Sequence, residues 1–406
     1  MRIAACVVAA ALSLALAAGL GASGTTHPQI PVGGFPTGIA LNPVTHTIYV
    51  GNGTTASLSL INGKTCNAST TRGCRQRVTA VTAGTDPIGV AVERSTNTIY
   101  VVNAFGTLAI VNGRRCMAGN SSGCKVKPVT VPVGIRPQFL AVDERTHTIY
   151  VANVGSNSIS VIDGRRCNAT TTAGCRRPGV DIPVGPGPFT LALNGATRSL
   201  YVTVLGAPTV SILDLEDCNA HELRGCLRPP VEFDAGEMPG GIAINRRTNT
   251  IYITGQTSND VSVIDGSTCN ALVRSGCKRK PVRFAAGPGA RGIAVNELTN
   301  TVYVANTAGN TVSVIDGATC NSRVHSGCGR KTALAPVGIS PRRIAVDELT
   351  NTVYVTNAGS NTVTMLNGRT CNGGVHRGCG KAPAEGAQAP AGTSTKPYTA
   401  GPRQSS

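Results

Sequence analysis

TNTVYVTN, residues Thr350 to Asn357, is the last of seven copies of one phrase. Earlier copies read THTIYV from Thr45, TNTIYV from Thr96, THTIYV from Thr146, TRSLYV from Thr197, TNTIYI from Thr248 and TNTVYV from Thr299. Their tyrosines, Tyr49, Tyr100, Tyr150, Tyr201, Tyr252, Tyr303 and Tyr354, stand 51, 50, 51, 51, 51 and 51 residues apart. A unit of about 50 residues rich in β-branched side chains cannot bury both its faces and must stack on its neighbours. The period therefore describes one body made of repeated supersecondary units.

Repeat six shows the parts: GIAVN from Gly292, TNTVYVAN from Thr299, NTVSVIDG from Asn310, a cysteine loop, and TALAPVG from Thr332. Each apolar run is of strand length and ends at a turn signal, such as Asp316-Gly317 after the third. Four strands per repeat and seven repeats predict an all-β, seven-bladed β-propeller of four-stranded antiparallel blades, the radial answer to exposed sheet edges. After the seventh cysteine pair no fourth strand follows, whereas QIPVG from Gln29 matches DIPVG from Asp181 ahead of the first repeat. The N-terminal segment is thus expected to supply the outer strand of the last blade. Boundaries follow: residues 1–24 as an export signal, 25–380 as the propeller, and 381–406 as a disordered tail rich in Pro, Ala, Gly and Ser.

The opening MRIAACVVAAALSLALAAGLGASG has one early basic residue, an apolar run and small residues after it, the layout of an export signal. A retained anchor is the competing reading; Cys6 leaves with a cleaved signal. The other cysteines form seven pairs with seven residues between members: Cys66/Cys74, Cys116/Cys124, Cys167/Cys175, Cys218/Cys226, Cys269/Cys277, Cys320/Cys328 and Cys371/Cys379. Paired cysteines in an exported chain point to disulfides. A tetrahedral metal site needs four ligands, and no consistent His accompanies the pairs. Each bridge closes a loop of about nine residues, worth about 2.5 kcal/mol in the chain-entropy account, and is expected to staple a surface loop against proteolysis and fraying. With aromatic residues at 3% and no Trp, the core must be Val, Ile, Leu and Ala. The repeat tyrosines are expected to pack between blades with their hydroxyls at the rim.

Tyr354-Val355-Thr356-Asn357, with IAVDELTNTVYV and NTVSVIDG around it, resembles the repeat unit of the YVTN-repeat β-propeller family, in phase from about Gln29 to Gly380. That family is similar to exported propellers of the YncE-like group, and more distantly to propeller lactonases and nitrite-reductase-type haem propellers. The resemblance implies a seven-bladed scaffold, often without assigned chemistry. A cysteine loop in every blade is an addition to the plain pattern.

The chain carries 37 Lys and Arg against 20 Asp and Glu, a formal charge of +17. Of those cations, 24 fall in the loops between third and fourth strands, among them Arg115, Arg166, Arg176, Arg177, Lys278, Arg279 and Lys280. Alternating connections put these loops on one face of the disc, where they would attract a polyanionic cell-wall or extracellular polymer. Solvation of hairpin tips accounts for them equally well, and stacking aromatics are missing.

On the opposite face, the two positions just before the first apolar residue of each inner strand point to the channel mouth. They read Thr37-Gly38, Ile88-Gly89, Gln138-Phe139, Phe189-Thr190, Gly240-Gly241, Arg291-Gly292 and Arg342-Arg343. Arg291, Arg342 and Arg343 lie on adjacent blades with Gln138 across the ring, a set suited to a carboxylate or phosphate if the arginines converge instead of fanning into solvent. No His, Asp or Glu occupies those positions, so general acid–base catalysis has no evident agent. Glu93, Asp143, Glu144, Glu297, Asp347 and Glu348 recur in the turns between first and second strands and read as turn chemistry. Asn52, Asn103, Asn153, Asn306 and Asn357 read as Asx-turn caps. No C-x-x-C-H is present for haem, and no cofactor or metal is expected. The reading is an exported, monomeric, non-enzymatic binding or scaffold protein of the cell surface or extracellular space. The alternative is a lactonase-like hydrolase acting at the channel mouth.

Overall fold

In the computed structural model of the chain, residues 27–381 are described; the expected export signal, Cys6 and nearly all of the expected tail lie outside them. β-Branched runs separated by polar turns form seven antiparallel four-stranded sheets. Blade 1 is typical: strand A is Pro36–Asn42, B is Thr47–Asn52, C is Ser57–Asn62 and D is Thr79–Thr82. Blades 2 to 6 repeat the order. Blade 7 takes its outer strand from the N-terminal end: Gln29–Pro31 pairs antiparallel with Thr362–Asn367, in register Gln29 to Thr364 and Pro31 to Thr362. The Gln29 Oε1 accepts from the Thr362 hydroxyl at 2.8 Å and the Thr364 hydroxyl at 3.1 Å. Ring closure therefore follows the expected scheme. Among the described residues no helix is long and apolar enough to cross a membrane.

The repeated phrase is explained by contacts between blades. All seven repeat tyrosines are fully buried. Each hydroxyl donates to the backbone carbonyl of the first cysteine of the next blade, as in Tyr49 to Cys116 at 2.7 Å and Tyr252 to Cys320 at 2.7 Å; the ring closes with Tyr354 to Cys66. The expected rim position is thus wrong, because a phenol in an apolar seam needs a partner and the next cysteine loop supplies one. Burial pushes these phenols up, Tyr49 and Tyr201 to about 12. The hydroxyl two residues before each tyrosine accepts from the next blade's cysteine loop: Ala169 N–H to Thr98 at 2.9 Å and Ala68 N–H to Thr352 at 2.8 Å.

All seven disulfides form as paired in the sequence: Cys66–Cys74, Cys116–Cys124, Cys167–Cys175, Cys218–Cys226, Cys269–Cys277, Cys320–Cys328 and Cys371–Cys379. Their setting corrects the expectation of surface staples. The first cysteine of every pair is buried, and so are the second members Cys74, Cys124, Cys175, Cys226, Cys328 and Cys379; Cys277 is half-buried. The reason is that each loop leans back over the preceding blade. One cluster, for example, joins Tyr49, Leu58 and Val81 of blade 1 to Ile99, Val101, Cys116 and Cys124 of blade 2. Cys175 likewise shares a cluster with Tyr100, Leu108 and Val131 of blade 2, and Cys226 with Tyr150, Ile159 and Ile182 of blade 3. Cys277 packs against the cluster that holds Tyr201, Val210 and Phe233 of blade 4. At the closure of the ring, the Cys74 Sγ lies 3.9 Å from the Met365 Sδ of blade 7. The loops are therefore part of the core between blades. Asn67 and Asn168, both buried, fold the loop by donating to the Gly63 and Gly164 carbonyls. Their N-x-Ser/Thr context is consequently inaccessible in the folded chain.

Candidate functional site at the channel mouth

Strand A begins at a bend. The residue before it has positive φ (Phe35, Asp86, Arg136, Gly187, Met238, Gly289 and Ser340), and the pairing with strand B slips immediately afterwards, between Pro341 and Ile344 in blade 7. The same slip occurs in every blade. A bulge re-aims the side chains it contains, and here they turn into the channel. Four of the seven second positions are Gly38, Gly89, Gly241 and Gly292. A Cβ there would stand 2.2 to 2.6 Å from the carbonyl of Ile88, Gln138, Arg291 or Arg342 in the following blade. The inner strands are packed too closely at this level for a side chain, so the residues that break the glycine pattern carry information.

Those residues are Phe139, Thr190 and Arg343 in blades 3, 4 and 7, and they meet. Arg343 crosses the channel: its guanidinium carbon lies 3.7 Å from the centre of the Phe139 ring and 5.3 Å from that of Phe189, and Nη2 donates to the Thr190 hydroxyl at 3.4 Å. Phe139 and Phe189 pack edge to face at 5.3 Å. Arg291 stands 5.7 Å over Phe189, and Arg342 4.7 Å over Phe35. Aromatic faces attract cations, so the rings hold the three guanidiniums in place.

All three arginines are half-buried. Burial, then the charge of Arg342, pushes Arg291 down to about 10; burial, then Arg291 and Arg342, pushes Arg343 well down; burial also lowers Arg342. Among the described residues none of the three has a carboxylate partner, and the Nε of Arg342 is buried without a hydrogen bond. Guanidinium stays charged over the physiological range, so these cations are desolvated and mutually repulsive. The arginines expected at the mouth do converge. No hydrogen bond joins the Gln138 side chain to them; the residue beneath Arg343 is its neighbour Phe139. Phe139 and Phe189 stood among the mouth positions, Phe139 at one where four other blades have glycine, and two bulky aromatics on adjacent blades were the signal that could have found them.

Asp86, in the crossing before strand A of blade 2, and the Phe35 ring both face Gly53, and burial pushes the Asp86 carboxyl upward. The acids of the A–B turns are on the opposite face. There Asp143 and Asp347 accept from turn amides and threonines, while Glu144 pairs with Arg94 at 2.9 Å and Glu297 with Arg246 at 2.7 Å. The B-strand asparagines act differently from Asx caps: Asn52 donates across to Ser57 and Ser59 of strand C, and Asn306 to Thr311 and Ser313. Among the described residues no group of three His, Cys, Asp or Glu could hold a metal ion. Arg115, Arg166, Arg176, Arg177, Lys278, Arg279 and Lys280 are all exposed on the cysteine-loop face, away from this site.

A family model described as lactonase, 7-bladed β-propeller, matches residues 33–386. Hydrazine synthase from Kuenenia stuttgartiensis is similar in structure at TM-score 0.63 and 18% identity, covering 86% of this chain and 98% of that one. Virginiamycin B lyase from Staphylococcus aureus aligns at TM-score 0.56 and 12% identity over 81% and 94%, and a streptogramin B lyase at 0.58 and 10% over 83% and 95%. At these identities the likeness is one of fold. No curated protein matches the sequence.

Proposed function

The chain belongs to the lactonase family of seven-bladed β-propellers, and on that premise we propose that it is a binding protein that takes a small carboxylate or phosphate at its channel mouth. Arg291, Arg342 and Arg343 are the anion ligands; Phe35, Phe139 and Phe189 hold them in the geometry that receives it. The observation that carries this reading is a buried Nε on Arg342 without a partner, within a group of three guanidiniums that no carboxylate neutralises. Desolvated cations of this kind are costly in the empty site and favourable once an anion completes them. The repeat wording supports a position on the YVTN side of the wider family, and the opening residues together with seven disulfides support an exported, extracellular or cell-surface setting.

Calorimetry of the full chain with acetate, benzoate and phosphate tests it. Arg342→Glu should abolish binding of whichever anion the wild type takes. Arg343→Met should lose most of the affinity and at the same time raise stability by roughly 0.5–2 kcal/mol, because an unpaired buried charge is removed. Wild-type affinity in Arg342→Glu would end the proposal.

Family membership and Asp86 favour a second reading, hydrolysis of an anionic lactone at the same mouth. A carboxylate raised toward neutrality by burial is a better general base than an exposed one. Turnover of simple lactones that disappears in Asp86→Asn supports this reading; binding without turnover leaves the first.

A further inference from the structure

We propose that the cysteine-loop face docks a linear polyanion without bases, which lies along blades 5, 6, 7, 1, 2 and 3 and avoids blade 4. Between strands C and D, blades 1, 2, 3 and 5 each carry four Lys or Arg, and blades 6 and 7 carry three each. Among the described residues none of these cations forms an ion pair, so their charge is directed outward. Blade 4 is the opposite case. Its Glu216 bridges Arg145 and Arg198 at 3.2 and 2.6 Å, Asp217 holds Arg228 at 2.8 Å and Glu222 holds Arg224 at 3.2 Å. Three acids take up four arginines there and leave little free charge, which turns a ring into an open arc with two ends. A ring of uniform charge attracts any anion; an open arc suits a chain that enters at one end and leaves at the other.

Two further features fit an extended partner. Buried disulfides and the tyrosine bonds behind them fix the loops, so little ordering is needed on binding. Between the loops of blades 2 and 3 runs an apolar-floored groove with Arg115 and Lys127 at its edge. Apolar floors with basic edges suit an aliphatic or sugar backbone with pendant phosphates. Base-bearing polymers are disfavoured because single-strand binders stack bases on aromatic side chains, and among the described residues the one exposed large aromatic, Phe105, is in a B–C loop on the other face.

The test is binding of the full chain to long-chain inorganic polyphosphate as a function of salt. Affinity should fall steeply with salt and by about tenfold or more in K278E/R279E/K280E, whose exposed positions leave the fold intact. Replacing Glu216, Asp217 and Glu222 of blade 4 by Gln should strengthen binding, and millimolar orthophosphate should not compete. Unchanged affinity in the blade 5 variant overturns the proposal. So does tighter binding of a single-stranded oligonucleotide with the same number of phosphates, which would assign the face to nucleic acid. Neither outcome depends on the channel-mouth arginines, which lie on the other face.

Discussion

At the end of strand A in five blades one side chain reaches the turn of the next blade, and the two positions vary together. Four interfaces use an asparagine pair, such as Asn194 to Asn249 at 2.7 Å and Asn296 to Asn351 at 2.6 Å. Between blades 2 and 3 the pair is instead Glu93 and His147 at 2.6 Å, with Tyr100 and Thr96 also donating to the buried carboxylate. Glu93→Asn alone strands the imidazole, while Tyr100 keeps its bond to the Cys167 carbonyl, and should cost about 1–3 kcal/mol in a urea melt. Adding His147→Asn rebuilds the pair used elsewhere and should recover most of the loss; simple additivity of the two changes would show that the slot is not a unit. The asparagine that follows the first Thr of the phrase also had a local reason legible in sequence, since these residues hold positive φ (Asn97, Asn249, Asn300, Asn351) and Asn tolerates it. That each of these asparagines reaches the preceding blade was not legible, because one repeat read alone contains only half of each pair.

The closing strand is three residues long, yet it completes a sheet and contributes Ile30 to the seam between blades 7 and 1. Deleting residues through Gly34 should lower the melting temperature sharply by exposing strand C of blade 7 and that seam. An unchanged melt would mean the ring holds without its closure. His27 adds a pH dependence: its Nε2 lies 2.9 Å from the Cys379 carbonyl, and burial lowers its pKa below 6.5. The unfolded chain therefore takes up a proton here before the folded chain does, so stability falls as pH drops below about 6.5. His27→Gln should flatten that part of the curve, measured as melting temperature between pH 7.5 and 5. The closure was readable because QIPVG lacks a repeat in front of it; the bulge that aims the arginines was not, because a register slip leaves no mark in a single strand.

Across the whole molecule the cysteine loops make neighbouring blades interdependent, since each bridge is covered by the tyrosine of the blade before. Cys320→Ala with Cys328→Ala should cost about 2–4 kcal/mol and loosen hydrogen-exchange protection in strand B of blade 5 as well as in blade 6. Loss confined to blade 6 would make the bridge a local staple after all. The sequence by itself determined the number of blades, the strands, the cysteine pairing and the end at which the ring closes, because all of these are carried by a period and by local turn chemistry. It also marked Arg291, Arg342, Arg343 and Gln138 as departures from the repeat, and passed over the two phenylalanines. Only the tertiary structure decided that residues 153 and 204 positions apart, Thr190 and Phe139, meet Arg343 across the axis, and that the tyrosines and cysteines join successive blades. Those contacts run between repeats, and the distance across a channel depends on closing all seven blades into one ring.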